Sequence, residues 1–258
     1  MLDIYYSLDS VIVFLLILGR IATVVYILPV FSGFTFPAKY KILFSVILSL
    51  TIYVLIIPDG VGSPPTDALT LILAFLRECG IGLIIGITAG IIFFGVMLAG
   101  RLVGNQMGIG LASVVSPSTG GNLSLLSQFY FMFAIVLFVT INGHHMLISG
   151  VVESFEVFTI GELSVPVASM KQFALMSNRV FIIAVQIASS LMVLLLLITA
   201  SLGIIARTVP QINIFFIGLP LRLLVGLIGL SISIPFVARA LIGLFRKIPE
   251  DLARVMGA

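Results

Sequence analysis

Six apolar segments constrain the fold of this chain more than any other feature of its sequence. They cover residues 11–31, 42–57, 69–98, 129–148, 180–206 and 212–237. About 20 helical residues cross the ~30 Å hydrocarbon core of a bilayer, and every segment except the second reaches that length easily. Because only 9% of the residues are charged, the chain has too little polar surface for a soluble globule. The sequence therefore predicts an all-α protein of a membrane or a membrane complex, with six helical passes.

Other classes of function find little support. The basic residues are scattered, which disfavours nucleic-acid binding, and no grouping of Ser, Asp and His resembles a catalytic site, so we do not expect an enzyme. The adjacent His144 and His145 diverge by about 100° on a helix and cannot chelate one metal as a pair at four-residue spacing would. We predict neither a metal nor a cofactor, and we interpret the two histidines as a polar cap near the C-terminal dipole of the fourth helix. The alternative is a proton-relay role, because histidine titrates near neutrality.

The stretch from residue 101 to residue 128 departs from the apolar pattern. It carries five glycines, one proline and a run of small hydroxyl side chains, and no charged residue lies between Arg101 and Glu153. Glycine and proline free backbone polar groups that hydrocarbon cannot satisfy. We therefore expect this stretch to be buried in protein or to line a cavity.

The charges of the connections conflict with six passes. The positive-inside rule places the first and third connections inside, because of Lys39, Lys41 and Arg101, and the acidic second and fourth connections outside. Arg207 places the fifth connection inside, which leaves the basic C-terminal tail outside. Either one segment does not cross, or the protein is not an ordinary helical bundle in lipid.

The third segment carries regularly spaced glycines. If residues 77–112 form one helix, it is about 50 Å long at about 1.5 Å per residue, well beyond a bilayer core. Two sets of glycines recur at four-residue spacing and fall in phase on one face, where small residues let another helix approach closely. The alternative is that glycine is simply tolerated in membrane helices. The two sets are Gly82, Gly86 and Gly90, then Gly100, Gly104 and Gly108.

Four charged residues lie inside apolar segments, namely Arg20, Arg77, Glu78 and Arg222. An ionisable group at membrane depth costs at least ~2.5 kcal/mol on the translocon scale, so each should face protein or water. Since Glu78 is the only carboxylate inside these segments, we predict that it pairs with Arg20 or Arg222. The alternative is that the arginines reach an aqueous vestibule or a neighbouring subunit.

Five short motifs resemble, in order, the FliR family of flagellar biosynthetic proteins. They are GNQMGIG at 104–110, SP at 116–117, NGHH at 142–145, LGIIARTVPQIN at 202–213 and GLP at 218–220. The resemblance runs through most of the chain. The injectisome counterparts of type III secretion are similar in architecture and stay as an alternative, although the motifs at 104–117 and 207–213 look closer to the flagellar branch.

The resemblance implies an export-gate subunit of the bacterial inner membrane and the flagellar basal body, present as one copy with several copies of FliP and FliQ. It further implies FlhB and FlhA as partners, membrane lipid as surroundings and unfolded flagellar subunits as exported substrates. Residues 1–162 would form a FliP-like portion, and residues 163–258 a FliQ-like helical hairpin and tail. The hairpin turn would contain Arg207, Pro210, Gln211 and Asn213.

The resemblance also implies that the Gly- and Ser-rich stretch forms a plug loop that closes a pore. The loop residues are Gln106, Met107, Gly108, Gly110, Ser113, Ser116, Pro117, Gly120, Gly121 and Asn122. We expect its irregular part to cover about 109–122, with Met107 as either a deformable seal or an ordinary packing residue. The alternatives are a solvent-exposed connection, a structural subunit without a gate, and a secondary transporter. A transporter usually repeats such an unwound segment in its other half, and we find no second copy.

Overall fold

The computed structural model describes residues 8–32, 37–56, 67–109, 124–161, 178–208, 211 and 213–257. This part of the chain is helical without a strand, so the predicted all-α class is confirmed. The helices are α1 (Leu8–Ile27), α2 (Pro29–Ser32), α3 (Ala38–Ile56), α4 (Ala68–Met107), α5 (Leu125–Thr140), α6 (Gly143–Val157), α7 (Arg179–Thr208), α8 (Ile214–Phe245) and α9 (Ile248–Met256).

Several of these helices have the length and apolar composition needed to cross a membrane. Five helical stretches in the described residues qualify, or six if α5 and α6 count as one broken span. They are helices because long runs of Leu, Ile, Val, Phe and Ala contain few interruptions, and a helix satisfies every backbone polar group internally. The chain is therefore a membrane protein with several apolar helices.

Helix α4 begins before the helix considered over 77–112, and it ends just before the expected start of the irregular part at about residue 109. It has 40 residues, about 60 Å at 1.5 Å per residue. Its C-terminal end is fixed by Gly108, whose φ of 82° is left-handed. The N–H of Gly108 donates to the Asn105 carbonyl and that of Ile109 to the Gly104 carbonyl, both at 3.1 Å. This pattern is a Schellman cap, so Gly108 terminates the helix and does not extend its glycine face.

The fourth apolar segment is two helices, which corrects two predictions. Asn142 adopts a left-handed conformation with φ of 58°, so α5 ends and α6 begins at this residue. His144 and His145 therefore lie in the first turn of α6. The sequence had predicted a position near a helix C-terminus, and that prediction is wrong. The acidic connection predicted over 150–178 also begins as helix, because α6 continues to Val157.

The described helices divide between two compact units, which follow packing and not chain order. Unit 1 comprises Met1–Ile91, Asn142–Ser177 and Lys247–Ala258; unit 2 comprises Ile92–Ile141 and Asn178–Arg246. The predicted split into a FliP-like and a FliQ-like portion concerns resemblance to other subunits and stays a prediction.

In unit 1, α1 packs against α3, and α9 packs against α6. Helix α9 is amphipathic: its apolar side chains are buried, and Glu250 and Arg254 are exposed. Pro249 lies in its first turn, and Gly257, whose φ is 82°, caps its C-terminal end. The close approach to α6 depends on Gly150, since a Cβ there would lie 2.6 Å from Leu252 Cδ1. The basic tail is thus a packed helix.

In unit 2, α7 and α8 form the expected helical hairpin, and α8 also packs on α5. The close approach in the hairpin occurs at Gly229, where a Cβ would lie 2.8 Å from Leu191 Cδ2. Three phenylalanines pack together in this unit, with ring centroids 5.2 to 5.4 Å apart. They are Phe93, Phe138 and Phe245.

Candidate functional site

A fully buried ion pair lies in unit 1 between α1 and α4. Arg20 Nε donates to Glu78 Oε2 at 2.6 Å, and Arg20 Nη2 lies 2.5 Å from the same oxygen. Both side chains are 0% exposed. Of the two predicted partners of Glu78, Arg20 and Arg222, the structure thus pairs it with Arg20.

The rest of the Arg20 guanidinium holds the C-terminal end of α6. Nη1 donates to the Ser154 carbonyl at 2.9 Å and to Ser154 Oγ at 3.1 Å, and Nη2 donates to the Phe158 carbonyl at 3.0 Å. The ring of Phe155 lies 3.9 Å from the guanidinium carbon. Carbonyls at the C-terminal end of a helix form its negative end, and the Ser154 carbonyl also accepts the Phe158 N–H. The two carbonyls, Ser154 Oγ and Glu78 Oε2 together accept four hydrogen bonds from the Arg20 guanidinium.

Arg77 completes this arrangement, which we call the charge cluster: Arg20, Arg77 and Glu78. Arg77 Nη1 donates to Glu78 Oε1 at 3.2 Å and to the Thr159 carbonyl at 2.9 Å. Two arginines thus share one carboxylate, and backbone carbonyls after α6 supply the remaining acceptors. The sequence placed Arg77 inside an apolar segment, but a carbonyl acceptor has no sequence signal, so the part played by α6 could not be predicted.

Arg222 lies elsewhere, on α8 in unit 2. Its side chain is half-buried, and its buried Nε has no hydrogen-bond partner among the residues that the structure describes. The ion pairs of Glu78 within the described chain are with Arg20 and Arg77. The structure therefore gives Arg222 no counter-ion in the described residues.

The glycines of α4 meet two different partners. Near the charge cluster, a Cβ at Gly82 would touch the Arg20 carbonyl oxygen and lie 3.0 Å from Thr23 Cβ. One turn later, a Cβ at Gly86 would lie 3.2 Å from Ile27 Cβ. This first set lets α1 approach the α4 backbone, and Gly90 is buried as well.

The second set meets the start of α5. A Cβ at Gly100 would lie 2.6 Å from Ser127 Cα, and one at Gly104 would touch Ser124 Oγ. Met107, the last residue of α4, is 0% exposed, and its Cε would lie 2.6 Å from a Cβ at Gly226 of α8. We call Gly100, Gly104, Met107 and Ser124 the loop base, because the chain leaves α4 and returns to α5 there.

The predicted plug residues divide at this base. Gln106 and Met107 belong to the last turn of α4, and Gly108 is its cap. Met107 packs against α8 here, which is the ordinary packing role that we had left open. The other plug residues lie outside the described residues: Gly110, Ser113, Ser116, Pro117, Gly120, Gly121 and Asn122.

The predicted hairpin turn is described in part. Arg207 is exposed near the end of α7, and Gln211 and Asn213 are exposed before α8. The Phe216 N–H donates to the Asn213 carbonyl at 3.1 Å in the first turn of α8. Pro210 lies outside the described residues.

No group of three or more His, Cys, Asp or Glu within the described ranges could hold a metal ion. The polar groups that these ranges do bring together are arginines, one carboxylate and backbone carbonyls. Such a set suits the fixing of helices at membrane depth. The charge cluster and the loop base are thus two anchoring sites on one long helix.

Comparison with known proteins identifies the family. Residues 11–248 match the family described as bacterial export proteins, family 1. The flagellar biosynthetic protein FliR of Bacillus subtilis (strain 168) is 33% identical over 226 residues, which is 85% of each chain. FliR of Escherichia coli (strain K12) is 30% identical over 237 residues, which cover 92% of this chain and 90% of that protein. The chain therefore belongs to this family of bacterial export proteins, together with the FliR proteins, and is a membrane component of the flagellar export apparatus.

Proposed function

We propose that this chain is a core subunit of the flagellar type III export gate, which forms a closed helical pore with FliP and FliQ in the bacterial inner membrane. Unfolded flagellar subunits pass through this pore, and FlhB and FlhA are further partners at the basal body. The Gly- and Ser-rich loop between α4 and α5 is the plug. The relatives are flagellar biosynthetic proteins, which favours the flagellar apparatus over the injectisome.

The observation that carries the plug assignment is the loop base. The described chain resumes after the loop at Ser124, and Ser124 touches Gly104 in the last turns of α4. Gly104 is only five residues before Ile109, the last described residue before the loop. The departure and return points of the loop are thus adjacent. On the α4 side, Met107 is buried against Gly226. A plug needs such fixed ends, because only the segment between them should move when a polypeptide passes.

The composition between the two ends supports the same function. Residues 110–123 hold small side chains, three glycines and no charge. A gate should be closed to ions and yet yield to a polypeptide. Glycines supply backbone freedom, and few large side chains are available as anchors, so displacing such a segment should require little free energy.

The exposed surface supports membership of a larger assembly. Helix α3 exposes apolar side chains along most of its length, among them Ile42, Ile47 and Val54 at 54 to 61% exposure. Helix α4, at about 60 Å, is about twice the ~30 Å thickness of a bilayer core. A helix of that length is not needed to cross a bilayer, and neighbouring subunits can cover the part that extends beyond the lipid.

The test is a deletion of residues 113–121, with a control in which a Gly/Ser linker of equal length replaces them. The deletion should leave the complex assembled, because the loop base is intact, and should make the membrane leaky to small ions. Assembly is measured by co-purification, and leakage by potassium efflux from cells or proteoliposomes. The control distinguishes the effect of a shorter loop from the effect of losing the native side chains. A tight membrane after the deletion would refute the plug assignment, and so would a complex that no longer assembles.

A further inference from the structure

The carboxylates of this chain are confined to one of its two units, whereas basic residues occur in both. None of the ten Asp and Glu residues falls within residues 92–141 or 178–246, which make up unit 2. The same residues contain six arginines: Arg101, Arg179, Arg207, Arg222, Arg239 and Arg246. An arginine in unit 2 therefore has no carboxylate within its own unit to pair with.

Arg222 is the arginine for which this matters most. It is the ninth residue of α8, about 12 Å along the axis from the helix start at 1.5 Å per residue. Its Nε is buried without a hydrogen-bond partner in the described part of the chain. By contrast, all three nitrogens of the Arg20 guanidinium donate to acceptors, and Glu78 is its counter-ion. An arginine in an apolar helix faces a partner or water, because charge at membrane depth is costly.

The residues next to Arg222 in α8 expose apolar side chains. The neighbouring Leu221, Leu223 and Leu224 are 39%, 36% and 58% exposed. The last turns of α7 expose Ile204 and Ile205 in the same way. Exposed apolar side chains of this kind mark a site for another protein or for lipid. The charge inside it decides what the occupant must carry.

We propose that Arg222 forms an ion pair with a carboxylate on an apolar helix of a partner subunit, which packs on the exposed part of the α7–α8 hairpin. The proposal rests on the proposed function, since it requires a hetero-oligomer. A carboxylate complements the guanidinium in charge and in its paired acceptor geometry. A lipid phosphate belongs at the level of the headgroups, whereas Arg222 lies more than two turns inside α8. A partner helix satisfies the arginine and covers the leucines together.

The first experiment compares recovered partners. The affinity-tagged full-length chain is expressed in a flagellated bacterium that lacks its own copy, and co-purified subunits are quantified by mass spectrometry. Arg222→Met should lower partner recovery at least about tenfold, because truncating one member of a buried ion pair leaves the other charge unpaired. Arg222→Lys should restore most of it. Arg239→Met removes an exposed arginine of the same helix and should have no effect.

A second experiment identifies the carboxylate and does not depend on the stability of one variant. Arg222→Glu should abolish swimming, and motile revertants are selected on soft agar and sequenced. Revertants should change an Asp or Glu in an apolar helix of a partner to a neutral or basic residue. Revertants confined to this chain would overturn the ion pair.

The outcomes separate this proposal from the proposed function. Normal partner recovery with Arg222→Met would overturn the ion pair and leave the proposed function intact. If anionic lipid were lost at the same time, the group that binds Arg222 would be a lipid phosphate and not a partner's carboxylate. If the wild-type chain recovers no partner subunit, the hetero-oligomer itself is wrong, and both proposals fail.

Discussion

The charge cluster makes a sharp prediction for Glu78→Gln. The substitution keeps the shape of the side chain but removes the only negative charge from a site that holds Arg20 and Arg77. Arg20 is 0% and Arg77 is 7% exposed, so water cannot replace the lost carboxylate. Arg20 would keep its three bonds to Ser154 and Phe158, and the amide oxygen could still accept one N–H group. The loss is therefore the electrostatic compensation of two buried cations.

The expected size follows from these contacts. Removing one partner of a buried ion pair typically costs about 3–5 kcal/mol, because the other charge remains buried. The surviving carbonyl acceptors place Glu78→Gln at the lower end, at about 3 kcal/mol. Arg20→Met should cost more, because it removes the N–H donors to Ser154 and Phe158 as well as the donor to Glu78. For a chain of this size, about 3 kcal/mol corresponds to a midpoint lowered by roughly 6–12 °C.

The assay is heat challenge of the detergent-solubilised complex, followed by gel filtration to measure the fraction that stays monodisperse. Glu153→Gln is the matched control, since Glu153 is exposed on α6, and it should leave the midpoint unchanged. In a double-mutant cycle, Arg20→Met and Glu78→Gln should combine to less than the sum of their effects. Strict additivity, or a harmless Glu78→Gln, would show that the ion pair does not stabilise the fold.

Two further substitutions test the close contacts of α4. Gly82→Ala should lower the same midpoint, because the new Cβ meets the Arg20 backbone and such an overpacked contact costs about 1–3 kcal/mol of stability. Gly80 has open space around it, so Gly80→Ala should be neutral or stabilising. Met107→Ala removes a fully buried side chain from the loop base and should cost about 2–5 kcal/mol and raise potassium leakage; Met132→Ala, on an exposed side chain, should do neither. A membrane that stays tight to potassium with Met107→Ala would show that the loop base has no part in gating.

Part of this arrangement could be predicted from residue chemistry alone. Apolar runs of bilayer length dictate helices because no other structure satisfies the backbone in hydrocarbon. The ion pair could be narrowed to two candidates, because Glu78 is the only carboxylate within the apolar segments. The choice between Arg20 and Arg222 required the fold, since it depends on which helix lies against α4.

Other features depend on backbone conformation, which composition does not specify. Asn142 and Gly108 both adopt positive φ, and each ends a helix that hydropathy alone would continue. The Asn142–Gly143 dipeptide and Gly108 are signals that can end a helix, but glycine also recurs inside α4 without ending it, so composition does not decide where the break falls. The support that α6 gives to the charge cluster comes from the carbonyls of Ser154 and Phe158, and every residue type carries a carbonyl. These contacts were therefore out of reach of sequence reasoning.

The two anchoring sites of α4 should act independently, although one continuous helix carries both. Residues 68–91 of α4 belong to unit 1 and residues 92–107 to unit 2. Gly82 and Met107 are 25 residues apart in the sequence and approach different helices, α1 and α8, and effects of substitutions without shared partners usually add. The Gly82→Ala, Met107→Ala double variant should therefore show the summed loss of stability but only the leakage of Met107→Ala. Leakage that rises with Gly82→Ala alone would mean that the charge-cluster end of α4 also controls the loop base, and the helix would then be a coupling element between the two.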